Sequence, residues 1–444
     1  MIEKVLVADR GEISVRVIRS LKELGIKSVA VYSEADRNAL NVLLADEAVC
    51  IGPADIKNSY LNFSSILSAA EITGAKAIHP GYSPLSENLE FAEACQNSGI
   101  VFIGTGVDTM SLMADKIAAK REANRSGIPV VPGSDTALVD EREALGVAES
   151  LGFPVILKAV GGGGGRGVKV VPEKVDFLDS FHNAKREAQD YLKNPGIYVE
   201  KYLDKARHIE FQIVADMEGN VIHLGHRDCT IQRRYQKIIE ESPSPVVEKE
   251  LSEEMGEAAV KFARSVDYSN LGTVEFLVTD SGEYFFSEMN TRIQVEHTVT
   301  EMVTGIDVAK WQIMLAFGER LGLRQEDVEY KGHSLECRIT AEDPFRFTPS
   351  SGTVTRYIPP GGPGVRVDSA VFSGAHVNPH YDPLIAKLIT LSRDRDGAIR
   401  RMVRALSEFH IEGIETTIPL YKKIMKDPEF INGYRDIRFL DKYI

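Results

Sequence analysis

In EMNTRIQVEH, residues 288–297, every even position from 288 to 296 is polar: Glu288, Asn290, Arg292, Gln294 and Glu296. Met289, Ile293 and Val295 between them are apolar. An extended chain sends alternate side chains to one face. One groove would then hold a metal-ligating carboxylate, an amide, an anion-clamping guanidinium, a second amide and a candidate base. Fully extended, the eight residue steps would cover roughly 26 Å. The chain is therefore expected to bend so that these groups reach one site. An ordinary half-exposed strand also alternates, but this mixture of types is unusual for a merely solvated face.

The residues just upstream supply a second carboxylate. LGTVEFLVTDSGEYFFSEMN, residues 271–290, reads strand, turn, strand, with Ser281-Gly282 as a two-residue hairpin loop. That loop pairs Asp280 with Glu283, and counting back sets Glu275 opposite Glu288. Like charges directly across a strand pair repel. A divalent cation between them removes the conflict, and hard oxygen ligands beside a phosphate favour Mg²⁺ or Mn²⁺. The phosphate is suggested by LKAVGGGGGRGVKVV, residues 157–171. Val155–Lys158 and Val168–Val171 read as strands, so the glycines form a hairpin tip. Bare backbone N–H groups can approach an anion closely there, and Lys158 and Arg166 flank them. The Walker A spacing is absent, because the lysine precedes the glycines.

Two further stretches repeat the logic. SLECRIT, residues 334–340, turns Leu335, Cys337 and Ile339 one way and Glu336 and Arg338 the other. Arg338 is then placed to stabilise an oxyanion. Arg233, Arg234 and Lys237 in IQRRYQK form a candidate basic patch for an anion.

Elements that must hold these residues follow from periodicity. Residues 1 to about 110 alternate strand and helix: Lys4–Ala8, the helix Ile13–Leu24 ended by Gly25, Ser28–Ser33, then strands at Ala77–Ile78 and Ile100–Ile103. That order implies a parallel sheet covered by helices. It looks Rossmann-like, but the first turn, ADRGEIS, has no GxGxxG, so dinucleotide binding there is not expected. A helical connector follows at 113–128, a smaller unit at 129–203, and a long region of antiparallel strands and helices at 204–444. SPSP at 242–245 and PPGGPG at 359–364 mark joints within it. With 444 residues, more than one core is required. A net charge of -13 argues against general nucleic-acid or anionic-membrane binding. No apolar stretch is long enough to span a membrane and no signal-peptide pattern is present. Cys50, Cys95, Cys229 and Cys337 form no CxxC pair and read as buried thiols in a reducing cytoplasm.

Taken together, KAVGGGGGRG, EKYL (200–203), RHIEFQ (207–212), RDCTIQRRYQK, EFL, EMNTRIQVEH and ECRITAEDP resemble biotin carboxylase, of the ATP-grasp superfamily. HPGYSPLSEN, ADRGEIS and YDPLIAKL fit as well, so the resemblance covers the whole chain. It implies an α/β and α+β architecture: a Rossmann-like N-terminal domain (1–112), an ATP-grasp lid (129–203) and a C-terminal catalytic domain (204–444). ATP would lie between lid and catalytic domain. Lys116 and Lys158 would hold its phosphates, with Gly164 and Gly165 closing over them. Glu200, Lys201, Tyr202 and Leu203 would meet the adenine, and His208, Gln232 and Tyr235 the rest of the nucleotide. Glu275, Glu288 and Asn290 would hold Mg²⁺ or Mn²⁺. Lys237, Arg292, Gln294 and the Val295 backbone would hold bicarbonate. Glu296 resembles the base, Arg338 the stabiliser of biotin's enolate, and Tyr82 a wall of the biotin pocket.

The chain departs from the family pattern at Tyr235 (usually histidine), His226 (usually glutamate), ADRGEIS and GYSPLSEN. These positions put a nucleotide contact and the acceptor pocket in question; no key charged residue is missing. No AMKM-type biotinylation motif appears, so biotin is expected on a separate carrier protein, with a separate carboxyltransferase and a cytoplasmic homodimer. The final acceptor is left open among acetyl-CoA (which would place the chain in fatty acid biosynthesis), another acyl-CoA and a 2-oxo acid. Two competing readings stand beside this one: another ATP-grasp ligase of carboxylate–amine or carbamoyl type, and a nucleotide-binding regulator without catalysis.

Overall fold

A computed structural model describes residues 2–159, 168–192, 196–433 and 436–443. The N-terminal sheet is parallel, in the order Glu47–Gly52, Lys27–Ser33, Lys4–Val7, Ala77–His79, Val101–Phe102. Apolar residues at helical spacing explain the first helix, Gly11–Glu23: Ile13, Val17, Ile18 and Leu21 are all buried against the sheet. It starts two residues earlier than the periodicity suggests, because Gly11 and Glu12 complete its first turn.

The turn after the first strand is tied to the turn after the fourth. Asp9 accepts backbone N–H groups from Arg10, Tyr82 and Ser83 at 2.7–3.1 Å. Burial, opposed by these bonds, pushes its carboxyl up to about 7. Gly81 between them has φ +66°, and a Cβ there would lie 2.0 Å from Asp9 Oδ2, so the approach requires glycine.

A three-stranded sheet, ordered Val168–Val171, Val155–Ala159, Ile197–Lys201, carries its own core with helices Glu141–Leu151 and Phe177–Leu192. The strands expected to flank the glycine run do pair, Val155 with Val171 through Lys158 with Val168. The run itself, with Gly164, Gly165 and Arg166, lies outside the described residues. Period-two alternation sends Val155, Leu157 and Ala159 into the core and Ile156 and Lys158 to the opposite face.

The largest sheet has eight antiparallel strands, ordered Tyr284–Asn290, Asn270–Val278, Arg207–Ala215, Val221–Arg233, Gln236–Ser242, His333–Thr340, Leu384–Ser392, Val365–Ser369. One half packs on helix Lys249–Ser265, where Ile209, Phe211, Ile213, Val274 and Phe276 are buried. The other half packs on helix Arg395–Glu408, where Leu335, Cys337 and Ile339 sit in the core as their alternation requires. Of the four cysteines, Cys50 departs from expectation. It lies exposed on the edge strand Glu47–Gly52, whereas Cys95, Cys229 and Cys337 are buried thiols. No helix among the described residues is long and apolar enough to cross a membrane.

Candidate active site

Sheet register builds the site. Glu288 pairs with Glu275, Glu275 with Glu210, and Glu210 with Arg227, giving a row of three carboxylates and a guanidinium across four strands. The first of these pairs was expected, but it arises differently. Val278 pairs with Tyr284, and Thr279 N–H donates to the Glu283 carbonyl at 2.9 Å, so the loop holds three residues with Gly282 at φ +84°. Asp280 therefore does not pair with Glu283. The register shifts between Glu275 and Phe276, where Ser287 is the extra residue of a β-bulge. The bulge cancels the longer loop and returns Glu288 to Glu275.

After Asn290 the strand ends, and the chain bends into helix His297–Thr304. Gln294 is carried inward, its Oε1 accepting from Arg227 at 2.8 Å and its Nε2 donating to Glu275 at 2.9 Å. Arg292 stays at the cleft wall, held by Glu87 at 2.9 Å. Glu296 ends the bend and meets two cations, Lys237 at 2.8 Å and Arg338 at 2.9 Å.

Lys237 is the centre of this arrangement. Its ammonium donates to Glu210 at 2.5 Å, Glu275 at 2.8 Å and Glu296 at 2.8 Å. The expected basic patch with Arg233 and Arg234 does not form. Arg233 turns to Glu342 and lies over the Phe347 ring, and Arg234 is exposed in the tight turn between strands. Burial alone would lower the Lys237 pKa, but the three carboxylates hold it well above its ordinary value. The reciprocal effect acts on the acids. Burial would raise Glu296, yet Lys237, Arg338 and Arg227 hold it far below the usual carboxylate range. Glu275, opposed by burial, is depressed by Lys237 and by His208 Nε2 at 2.8 Å.

Glu288 is depressed chiefly by Lys116, 2.6 Å away. Asn290 donates to Glu275 at 2.8 Å. Two ionised carboxylates on adjacent strands with an amide oxygen at their edge make an all-oxygen donor set, which suits Mg²⁺ or Mn²⁺.

Every site residue that the resemblance implies, among the described residues, lines one cavity of about 1090 Å³; Arg234 of the expected basic patch does not. Tyr82 is on its N-terminal wall, its hydroxyl donating to Glu12 at 2.6 Å. Lys158, Glu200, Lys201, Tyr202 and Leu203 come from the small sheet and its exit. The Lys201 ammonium turns away to the Gly152 carbonyl at 2.8 Å. His208 is held by Gln232 at 2.8 Å as well as by Glu275. Tyr235 is the second residue of the tight turn, at φ +66° and 42% exposed toward the cavity mouth.

Sequence reasoning missed several residues. Arg227, fully buried, gives all its donors to Glu210, Gln212, Thr273, Gln294 and Thr300. Glu240 holds Arg338 Nε at 2.6 Å and is pushed up to about 7, mainly by burial. Its cross-strand partner Glu336 is buried too and raised well above the ordinary range by burial. Lys387, fully buried, donates to the Val295 carbonyl at 2.9 Å. Charged residues inside otherwise apolar strand runs, as in LIAKLIT, are the signal that could have found them.

Three family models tile the chain: "Biotin carboxylase, N-terminal domain" over residues 1–110, "Carbamoyl-phosphate synthase L chain, ATP binding domain" over 115–324, and "Biotin carboxylase C-terminal domain" over 336–442. Biotin carboxylase 1 of Bacillus subtilis is 52% identical over 100% of this chain and 99% of its own. The crystal structure of a Campylobacter jejuni biotin carboxylase superposes with TM-score 0.98 at 46% identity, covering 100% of this chain and 99% of that one. The biotin carboxylase domain of Hydrogenobacter thermophilus 2-oxoglutarate carboxylase gives 0.97 at 48% identity, covering 100% and 98%. The Rossmann-like and ATP-grasp architecture expected from the motifs is thus the one found, and the chain belongs to the biotin carboxylase family.

Proposed function

We propose that the cleft uses ATP to activate bicarbonate as carboxyphosphate and transfers the resulting CO₂ to biotin, giving carboxybiotin, ADP and phosphate. The observation that carries this is Glu296, ionised between Lys237 and Arg338 on the wall that also presents Glu275 and Glu288. The similar Campylobacter structure is described as a complex with β-γ-ATP, and the Hydrogenobacter one as binding MgADP and bicarbonate.

Lys116 and Lys158 neutralise the transferring phosphoryl group, while residues 129–203 close as a lid and exclude water. Magnesium or manganese, when bound by Glu275, Glu288 and Asn290, adds charge neutralisation at the phosphates. Arg292 and Lys237 hold bicarbonate. In the resting cleft Lys237 and Arg338 keep Glu296 free of its proton. As bicarbonate draws Lys237 away, Glu296 becomes more basic and takes the substrate's proton. The freed oxygen attacks the γ-phosphorus and ADP leaves. Carboxyphosphate breaks to CO₂ and phosphate, and phosphate takes the proton from biotin's ureido nitrogen. Arg338 stabilises the enolate oxygen while that nitrogen attacks CO₂. Tyr82 lines the biotin end.

The biotin donor is a carrier protein and the consumer a carboxyltransferase, in keeping with the Hydrogenobacter match, which is described as the biotin carboxylase domain of a 2-oxoglutarate carboxylase. That structure is also described as a dimer, and the same assembly is proposed here, in the cytoplasm. The test is ADP release with bicarbonate and free biotin. ATP cleavage that ignores bicarbonate, or that responds to ammonia or amines instead, would replace this reading with a carboxylate–amine or carbamoyl ligase. No cleavage with any acceptor would favour a regulator.

A further inference from the structure

Lys120 lies one turn beyond Lys116 on helix Lys116–Arg125, yet it points inward, with its side chain 7% exposed. Its ammonium pairs with one oxygen of Glu200, whose side chain is 1% exposed, and sits 5.0 Å from the Tyr198 ring centroid. The other Glu200 oxygen pairs with Lys158. Register explains the meeting. Ile156 pairs with Glu200 and Lys158 with Tyr198, so all four side chains share the face opposite the small core, and Lys158 reaches Glu200 diagonally.

The two lysines sharing this carboxylate are not equivalent. Lys158 is 25% exposed and opens onto the main cavity. Lys120 does not line that cavity; it lines a small side cavity of about 30 Å³ behind Glu200, whose walls include Lys116, Lys158 and Glu288. A polyphosphate entering the main cavity would draw Lys158 toward it. Were Lys158 the only partner of Glu200, its departure would leave an uncompensated carboxylate in the interior, which is strongly unfavourable. Lys120 stands on the far side of Glu200 from the main cavity; burial and then Lys158 lower its pKa, so withdrawal of Lys158 favours its charged form beside Glu200.

We infer that Lys120 is a positioning residue that retains Glu200 so that Lys158 is released to the polyphosphate of the substrate. The inference rests on the reading of this cleft as an ATP site. Lys120 touches neither nucleotide nor reacting atoms; its effect passes through the sharing of Glu200.

The test compares the affinities of the intact protein for ADP and for adenosine by titration calorimetry, because their ratio isolates what the phosphates contribute. In Lys120→Met, the ADP-to-adenosine affinity ratio is expected to fall roughly tenfold, since Glu200 then competes undivided for Lys158. KM for ATP should rise in parallel, with kcat changing much less. Lys120→Arg should restore the ratio. If Lys120→Met folds poorly, Lys120→Met combined with Glu200→Gln removes the uncompensated charge. That double variant should return the ratio toward the wild-type value, because nothing then competes for Lys158. An unchanged ratio in Lys120→Met, or a ratio that stays low in the double variant, would overturn the inference. A wild-type protein that binds ADP no better than adenosine would instead remove the phosphate-site reading, and the inference with it.

Discussion

Replacing Lys237 by methionine would test the electrostatic core of the cleft. The side chain keeps its length but loses the charge that meets Glu210, Glu275 and Glu296. Each acid would retain at least one partner: Arg227 and, at 3.8 Å, His208 for Glu210, His208 for Glu275 and Arg338 for Glu296. All three acids are buried, so the loss resembles removing one partner of a buried ion pair, about 4 kcal/mol. For a unit of roughly 200 residues, that is a fall in Tm of about 10 °C. The pH dependence has a definite sign. In the wild type, Glu275 and Glu296 are depressed, so their stabilisation is complete above the unfolded carboxylate pKa and fades only as pH falls below it. Without Lys237 these carboxyls rise. The gap between variant and wild type should therefore be full at pH 7 and close below about pH 5. Thermal unfolding by circular dichroism at several pH values reads this directly. Adding Glu296→Gln to Lys237→Met should recover part of the loss. A single variant as stable as wild type at neutral pH, or a gap that widens on acidification, would refute the three-carboxylate account.

Glu296→Gln should fold normally and lose bicarbonate-dependent ATP cleavage by about 10²–10⁴-fold; unimpaired phosphate release would remove Glu296 as the base. Arg338→Gln is expected to cost biotin carboxylation about 10²–10³-fold while retaining more of the bicarbonate-dependent ATP cleavage, a split visible when ADP and carboxybiotin are measured together. Glu288→Gln should move the Mg²⁺ titration of activity to higher concentration by about tenfold or more, and an unshifted titration would count against the paired carboxylates. Deleting Ser287 should remove the bulge yet leave Phe286 opposite Phe276, Glu288 opposite Glu275 and Met289 in the core, so Tm and Mg²⁺-dependent activity should be largely retained; a deletion variant that loses both would show that Ser287 is more than the extra residue of the bulge.

Much of this site was legible because its key groups lie in short stretches with strong local rules. Period-two alternation correctly placed Arg338 and the core trio around it, and the short apolar runs beside the glycines do form paired strands. The Glu275–Glu288 pair was reached through two opposite errors, a loop one residue too short and an unseen bulge at Ser287. Side-chain chemistry does not announce a bulge, since serine suits either position. The misread stretch was IQRRYQK. Charges adjacent in sequence are not neighbours in space there, because a tight turn with φ +48° at Arg234 and +66° at Tyr235 sends them apart. Lys237 is instead answered by acids from two other strands and from the bend before a helix, a convergence that only tertiary structure can produce. Cys50 was misplaced for a similar reason, because nothing local marks its strand as the edge of the sheet.

The bulge at Ser287 also divides its hairpin into two mechanical zones. Below it, spacing is tied to the carboxylate pair. Above it, Asp280, Ser281, Gly282 and Glu283 are all exposed, and the turn they form sets the register as far as Phe276 and Phe286. The tip is thus a natural attachment point. A dye or short tag grafted between Asp280 and Gly282 would ride on the hairpin whose base carries Glu275 and Glu288, and would report on the cleft without entering it.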